Sequence, residues 1–363
     1  MSWEVLQTRT LPRHAPTGEV IGGFSAAAYE PGDDRLWLLS DAPRGVLLVW
    51  QGLRRLANGA AGELELTAVL PLQGSTGEPL PDVIDGEGLV LRGEEAWVAS
   101  EGRLEPPRPA LLLRFDRRTG RLQQSLPLPP EWQPRAHAGL ESNGGPESLT
   151  LWPAPPEPPG TPPQLLLAAE HPLRQDAPRR SLRTLLWDLN ARGARPSLQS
   201  LPPLPIPPGQ PALGLTDLLS LPAAPGAPGQ LLTLWRGFEA PARWRAELGL
   251  LELRGAGWEE RGRWDLLAAG LPPDNWEAIT PGPRLADGRP STVLISDDNF
   301  SALQQNRLAL IAPRRAEPCD GASLPGGEGP GRRGAAVSAC PPCLPASPPA
   351  PAAPPAPAAM PPD

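Results

Sequence analysis

The chain has no lysine. All 33 of its basic residues are arginine. That usage follows codon composition in a GC-rich genome and is not a signal of arginine-specific recognition. Cysteine is missing from the body as well. Cys319, Cys340 and Cys343 all follow residue 313, so the body can form no disulfide, and cysteine says little about compartment. Cys340 and Cys343 have redox-motif spacing, but they sit in a Pro/Ala tract without strand or helix pattern, a poor setting for redox or metal chemistry. No apolar run approaches the roughly eighteen residues of a membrane span. The opening MSWEVLQTRTLPRHAP lacks the basic start and apolar core of a signal peptide, so the chain as written is expected to be soluble and unexported. Positive charge is in deficit. The net charge is −7, and the tail contributes nothing to it, because Arg314, Arg315, Arg332 and Arg333 cancel Glu317, Asp320, Glu328 and Asp363. An acidic body argues against binding a phosphate backbone.

What the chain does have is a unit recurring about every sixty residues. The copies are GGFSAAAYEPGDDRLWLLSD from Gly22, DGEGLVLRGEEAWVASE from Asp85, GGPESLTLWP with QLLLAAE from Gly144, LTDLLSLP with QLLTLWR from Leu215, and DNWEAITPGP with STVLISDDN from Asp274. Strand-like runs alternate with Gly, Pro and Asp clusters, and no long amphipathic helix is evident. The second copy divides into Glu87–Leu91, Ala96–Glu101, Leu111–Asp116 and Leu122–Leu126. The third divides into Glu147–Trp152, Leu165–Glu170, Thr184–Leu189 and Ser197–Leu201, with a Pro-rich loop over Ala154–Pro163. Four antiparallel strands per serial unit predict an all-β, closed β-propeller. Five blades are counted, with six as the alternative. The fifth copy supplies three strands only, so Trp3–Thr8 is expected to complete that blade as its outer strand and remove a sheet edge. The propeller is expected over residues 1–313. Residues 314–363, rich in Pro, Ala and Gly, are expected to form a disordered tail. Trp37, Trp97, Trp152, Trp187 and Trp235 sit within strands and are expected to pack between blades.

Strand order then places the acids. The first strand of a blade starts at the rim to which the second returns. The starts carry Ser25, Glu87, Glu147, Asp217 and Glu277. The ends carry Asp41, Glu101, Glu170, Arg236 and Asp297, the last followed by Asp298. Converging carboxylates raise one another's pKa unless a cation sits among them. Calcium, a hard ion taking six to eight oxygens with flexible geometry, suits such a ring better than magnesium. Zinc is disfavoured, because the body offers only His14, His137 and His171 and no cysteine. Arg44, Arg103, Arg174 and Arg236 lie near second-strand ends and are the alternative source of positive charge. Arg44, Arg174 and Arg236 are also candidates to bind an anionic substrate. His171 beside Glu170 is a candidate acid or base. Ser25 has no nucleophile-elbow context.

At Asp274-Asn275-Trp276-Glu277-Ala278 and Ser296-Asp297-Asp298-Asn299-Phe300 the chain resembles the phytase-like family described as having esterase-like activity of phytase. Gly22-Gly23-Phe24-Ser25, Leu39-Ser40-Asp41, Asp85-Gly86-Glu87-Gly88, Pro146-Glu147-Ser148 and Arg236-Gly237-Phe238-Glu239 are similar too. The resemblance spans roughly residues 20–312 and departs at Ala278, where Gly is common. It implies a secreted or periplasmic propeller, compatible with metal dependence, acting on phosphate or other esters.

The expected function is therefore calcium-assisted ester hydrolysis, with a phosphoester as the leading substrate class. Glu277, Asp297 and His171 are the candidate catalytic groups. Asp41, Glu87, Glu101, Glu147, Glu170, Asp217, Glu277, Asp297 and Asp298 are the candidate ligands. The partner is a small-molecule ester, with no nucleic acid or membrane, and a monomer is expected. A sugar lactonase, or a non-catalytic propeller binding a ligand or protein around structural calcium, are the alternatives.

Overall fold

The computed structural model describes residues 2–315, except 42–43, 60–61, 81–82, 143, 155–163, 191–192, 198, 210–211, 223 and 225–226. The tail with its three cysteines, and most of the Pro-rich loop after Ala154, therefore lie outside the described residues. Five four-stranded antiparallel sheets make up the fold. The first is Phe24–Glu30, Arg35–Ser40, Val46–Gln51 and Glu65–Pro71. The second is Gly86–Arg92, Glu95–Ser100, Leu111–Asp116 and Leu122–Pro127. The third is Ser148–Trp152, Gln164–Ala168, Thr184–Asn190 and Gly193–Pro196. The fourth is Gly214–Leu221, Gln230–Glu239, Arg243–Arg254 and Gly257–Asp265. The fifth is Trp276–Pro281, Thr292–Ser296 and Arg307–Pro313, completed by Trp3–Thr10 from the N-terminus. The backbone N–H of Arg314 donates to Ser2 O at 2.7 Å, which extends that last pairing. The helix of the described residues, Leu53–Ala57, is a single short turn. No helix among them is long and apolar enough to cross a membrane.

The pattern of each strand follows from its place in a blade. Inner strands have neighbours on both faces, so they read as continuous apolar runs, as in the fully buried Gln164–Ala168. Outer strands have one wet face and alternate, as Leu122–Pro127 does. Five apolar clusters fill the gaps between adjacent sheets. Leu39 and Leu47 meet Val98 and Phe115. Trp97 and Leu112 meet Leu165 and Trp187. Trp152 and Leu166 meet Leu218 and Trp235. Leu234 and Leu248 meet Trp276 and Leu294. The fifth cluster joins Ile295 and Leu308 of the last sheet to Phe24 and Leu36 of the first. The innermost strands touch in the same cyclic order, and the last touches the first. This is a five-bladed β-propeller, with its first blade packed on its last. The five tryptophans expected between blades are all buried in these clusters.

One strand departs from expectation. The fourth strand of the third blade is Gly193–Pro196 and not Ser197–Leu201. Asn190 pairs directly with Gly193, a glycine at φ 127, so the chain reverses several residues earlier than the apolar pattern suggests. The downstream segment instead adds Leu204–Pro205 to Ser181–Leu182 as a separate two-stranded ladder.

Candidate functional site

The site is built from two rings of backbone positions. The outer ring is the residue just past each second strand. The N–H groups of Asp41, Glu101, Glu170 and Asp297 donate to the carbonyls of Gly23, Asp85, Gly145 and Asn275 at 2.8, 2.7, 2.9 and 2.8 Å. Arg236 occupies the same place opposite Gly214. The inner ring lies one step down the first strands, and a β-bulge creates it. Pairing register slips around Ser25, Glu87, Thr216 and Glu277 in four of the blades. In the third blade, Glu147 sits just before the first paired residue. An extra residue in a strand re-aims its side chain, and here it turns these side chains to the channel.

The bulge also corrects the placement of Asp217. The residue equivalent to the three glutamates is Thr216, and a one-residue slip along a strand exchanges its faces. Asp217 points away from the acidic mouth. Its two carboxylate oxygens accept the backbone N–H groups of Leu218 at 2.7 Å and Ile279 at 2.8 Å. It lines the channel at the level of Leu149 and Ile279 and is absent from the lining of the mouth cavity. The two hydroxyl bulges behave alike. Ser25 Oγ donates to Gly86 O at 2.5 Å and Thr216 Oγ1 to Trp276 O at 3.2 Å, each bridging to the next blade.

Together the rings enclose a cavity of about 290 Å³ at the channel mouth. Eight carboxyl groups line it: Asp41, Asp85, Glu87, Glu101, Glu147, Glu170, Glu277 and Asp297. Arg103 and Arg236 are its two cations, and Ser25, Asn275 and Asn299 complete it. Burial and crowding both oppose ionisation. Burial first, then the charges of Asp297 and Asp85, push Asp41 up to about 7. Burial also raises Glu101 to about 7, even though it accepts two N–H bonds. Glu277 and Asp297 rise to about 7 for the same leading reason, with Arg236 acting against it. Glu87 and Glu147 lie well above the usual carboxylate range, held there by burial and by neighbouring acids.

Some of this charge is matched within the chain. Glu101 Oε1 accepts the N–H groups of Gly144 and Gly145, both at 2.7 Å. Asp85 pairs with Arg108. Arg236 reaches Glu170 Oε1 at 3.2 Å and Glu277 Oε1 at 3.3 Å, and it donates to Asn275 Oδ1. These contacts outweigh the cost of burying its guanidinium and raise its affinity for the proton. Other charge is unmatched. Asp41 Oδ1 and Glu277 Oε2 are buried with no hydrogen-bond partner among the described residues. One carboxylate oxygen from each of Asp41, Asp85 and Glu87 lies within 4.8 Å of the other two. Ligands on opposite sides of a single calcium stand about 5 Å apart, and about 4 Å apart for magnesium. The spacing of this trio therefore admits one ion of calcium's size.

The remaining sequence candidates lie outside the cavity. Asp298 is buried in an ion pair with Arg13 at 2.5 Å and accepts the N–H groups of Gly23 and Phe300, so it fastens the last blade to the first. His171 stands 3.5 Å from Glu170 Oε2, behind the lining. Arg174 donates to Ala136 O at 2.9 Å on an exposed loop. Arg44 is exposed and not part of the lining. The sequence pattern assigned no role to Asp85, Asn275, Asn299 or Thr216. Asp85 and Asn275 could have been found from the recurring motif itself, because each stands two residues before a bulged glutamate.

Fold and site define a five-bladed β-propeller with an acidic pocket at one mouth of its channel. The chain belongs to the phytase-like family, described as "Esterase-like activity of phytase", which matches residues 19–300. No curated protein matches it. Among solved structures it is similar to a BT0996 complex with RGII in its title, at 12% identity and a TM-score of 0.39, covering 82% of this protein and 88% of that one. It is also similar to an exo-1,5-alpha-L-arabinanase from a bovine ruminal metagenomic library, at 10% identity and a TM-score of 0.41, covering 80% and 94%.

Proposed function

We propose that the chain is a calcium-assisted ester hydrolase, with a phosphoester as its substrate. The observation that carries this reading is the Asp41, Asp85 and Glu87 trio, whose oxygens are spaced for one calcium-sized ion and include a buried, unpaired Asp41 oxygen. Eight crowded carboxyls hold their charge together far better around a cation than around an anionic substrate alone. Calcium bound there would polarise the ester and lower the pKa of an attacking water.

The chain's own groups supply the rest. Glu277 and Asp297, both raised to about 7, are poised to accept the proton of water near neutral pH. Asn275 and Glu170 fix Arg236 against Glu277, so that carboxylate is oriented on two sides. Arg236 is committed to these partners. Arg103, which lines the same cavity with an exposed side chain, is the better contact for the anionic group. His171 takes a supporting place behind Glu170.

The test is turnover of p-nitrophenyl phosphate and p-nitrophenyl acetate, with a lactone panel alongside, in calcium and in chelator. Calcium-dependent phosphoester turnover that falls at least a hundredfold in Asp41→Asn and Glu277→Gln is expected. Lactone turnover alone would reassign the chemistry. A calcium-dependent rise in Tm with no turnover on any panel would make the chain a binding propeller.

A further inference from the structure

At the end of the channel away from the acids lies a second cavity, of about 750 Å³. The inner strands of the first, fourth and fifth blades deliver its walls. Their mouth ends carry Ser25, Thr216 and Glu277, and their far ends bring Tyr29, Leu221 and Pro281 here. Leu219, Leu232 and Leu250 deepen the apolar wall. Two buried polar groups interrupt it. Trp3 Nε1 and Ser220 Oγ belong to residues only 6% and 5% exposed, and neither has a hydrogen-bond partner among the described residues. An orphan donor and hydroxyl in an apolar cavity are costly unless a ligand atom satisfies them.

The charges around this cavity are one-sided. Arg54 and Arg284 line it, and no Asp or Glu does among the described residues. Each arginine spends one N–H on a backbone carbonyl, Arg54 on Gly32 at 3.1 Å and Arg284 on Gly288 at 3.0 Å, leaving further donors. Against a net charge of −7 for the whole chain, this end is locally cationic. An apolar enclosure with a few convergent polar groups is the usual form of a small-molecule site.

We propose that this cavity binds an amphipathic carboxylate: a hydrocarbon body of roughly ten carbons in the apolar wall and a carboxylate at Arg54 and Arg284. Trp3 and Ser220 meet a second polar atom on the body, such as a hydroxyl or carbonyl oxygen. The site is independent of the acidic mouth and of the chemistry proposed there.

Calorimetric titration of the full chain in chelator, with decanoate, decanol and decyltrimethylammonium below their micellar concentrations, tests this. One equivalent of decanoate should bind. Decanol should bind at least tenfold more weakly, and the cation not at all. Mid-chain oxodecanoates, which carry an internal acceptor, should include one that binds more tightly than decanoate and loses that advantage in Ser220→Ala. Arg54→Glu combined with Arg284→Glu, both on exposed side chains, should weaken decanoate at least tenfold while ester hydrolysis at the mouth is unchanged. Equal binding of all three head groups, decanoate affinity unchanged by charge reversal, no binding, or binding to phosphatidylglycerol vesicles without binding of decanoate would each overturn the proposal.

Discussion

Replacing Arg236 with glutamine probes how the acidic mouth is held together. The side chain is 22% exposed and touches Glu170 at 3.2 Å and Glu277 at 3.3 Å, themselves 9% and 11% exposed. At an effective dielectric near 20, unit charges this close interact by about 5 kcal/mol. Removing one partner of a buried pair typically costs about 3–5 kcal/mol, because the other charge is left uncompensated. Glu277 can escape by protonation. Its pKa is already raised in the folded chain, and losing Arg236 raises it further. A carboxyl raised in this way contributes stability at low pH and loses it as pH rises through the folded value. The cost should therefore be small near pH 5 and approach the full value near pH 8. For a folded body of about 310 residues this corresponds to a drop in Tm of roughly 5–8 °C at pH 8. Thermal unfolding of Arg236→Gln against wild type from pH 5 to 8.5 in chelator measures it. The double variant Arg236→Gln with Glu277→Gln should recover most of the loss at pH 8. A deficit independent of pH, or no recovery in the double variant, would refute the electrostatic reading and leave lost packing as the cause.

Three further outcomes follow from the same geometry. In chelator the wild-type Tm should fall between about pH 5 and pH 8, because Asp41, Glu101, Glu277 and Asp297 all sit near 7 in the folded chain, and the unfolded carboxyls titrate near 4. Saturating calcium should flatten that slope, and a Tm that rises across the window would contradict it. Asp217→Asn should destabilise by about 1–3 kcal/mol, because two backbone N–H groups depend on its carboxylate, yet leave the calcium-induced Tm shift intact. A lost calcium response would return Asp217 to the metal site. Gly214→Ala sets a Cβ against Glu170 Oε1 and should cost about 1–3 kcal/mol, with most of that removed in a Glu170→Ala background. Equal losses in both backgrounds, measured by denaturant unfolding, would exclude that clash.

The fold was legible because blades repeat. A period of about sixty residues, four runs per period and a three-stranded last copy were enough to predict five blades and the N-terminal strand that completes the fifth. Trp3–Thr10 does pair with Arg307–Pro313. The fourth strand of the third blade was not legible, because its Gly193–Pro196 is short and follows an abrupt return at Gly193. Within the site, strand order predicted that Asp41, Glu101, Glu170, Arg236 and Asp297 share one rim, and they do. It misplaced Asp217 because a bulge leaves no trace in apolar periodicity; only pairing register shows that Thr216 takes the glutamate's position. It could not separate Asp298 from Asp297 either. Adjacent residues on an extended chain face opposite ways, and the structure turns Asp298 to Arg13 while Asp297 lines the cavity. The lone arginine in the outer ring was legible as a break in the repeat. Its role was not, since Glu170, Glu277 and Asn275 converge on it from two other blades.

Calcium binding by the Asp41, Asp85 and Glu87 trio is tested most directly by thermal unfolding. The chelated chain is titrated with calcium at pH 7.5, for wild type and for Asp41→Asn with Glu87→Gln. Saturable stabilisation of wild type, about 2.7 kcal/mol at a hundredfold excess over Kd, absent from the double variant and not reproduced by magnesium, is the predicted result. No shift in wild type, or the same shift in the double variant, would contradict it.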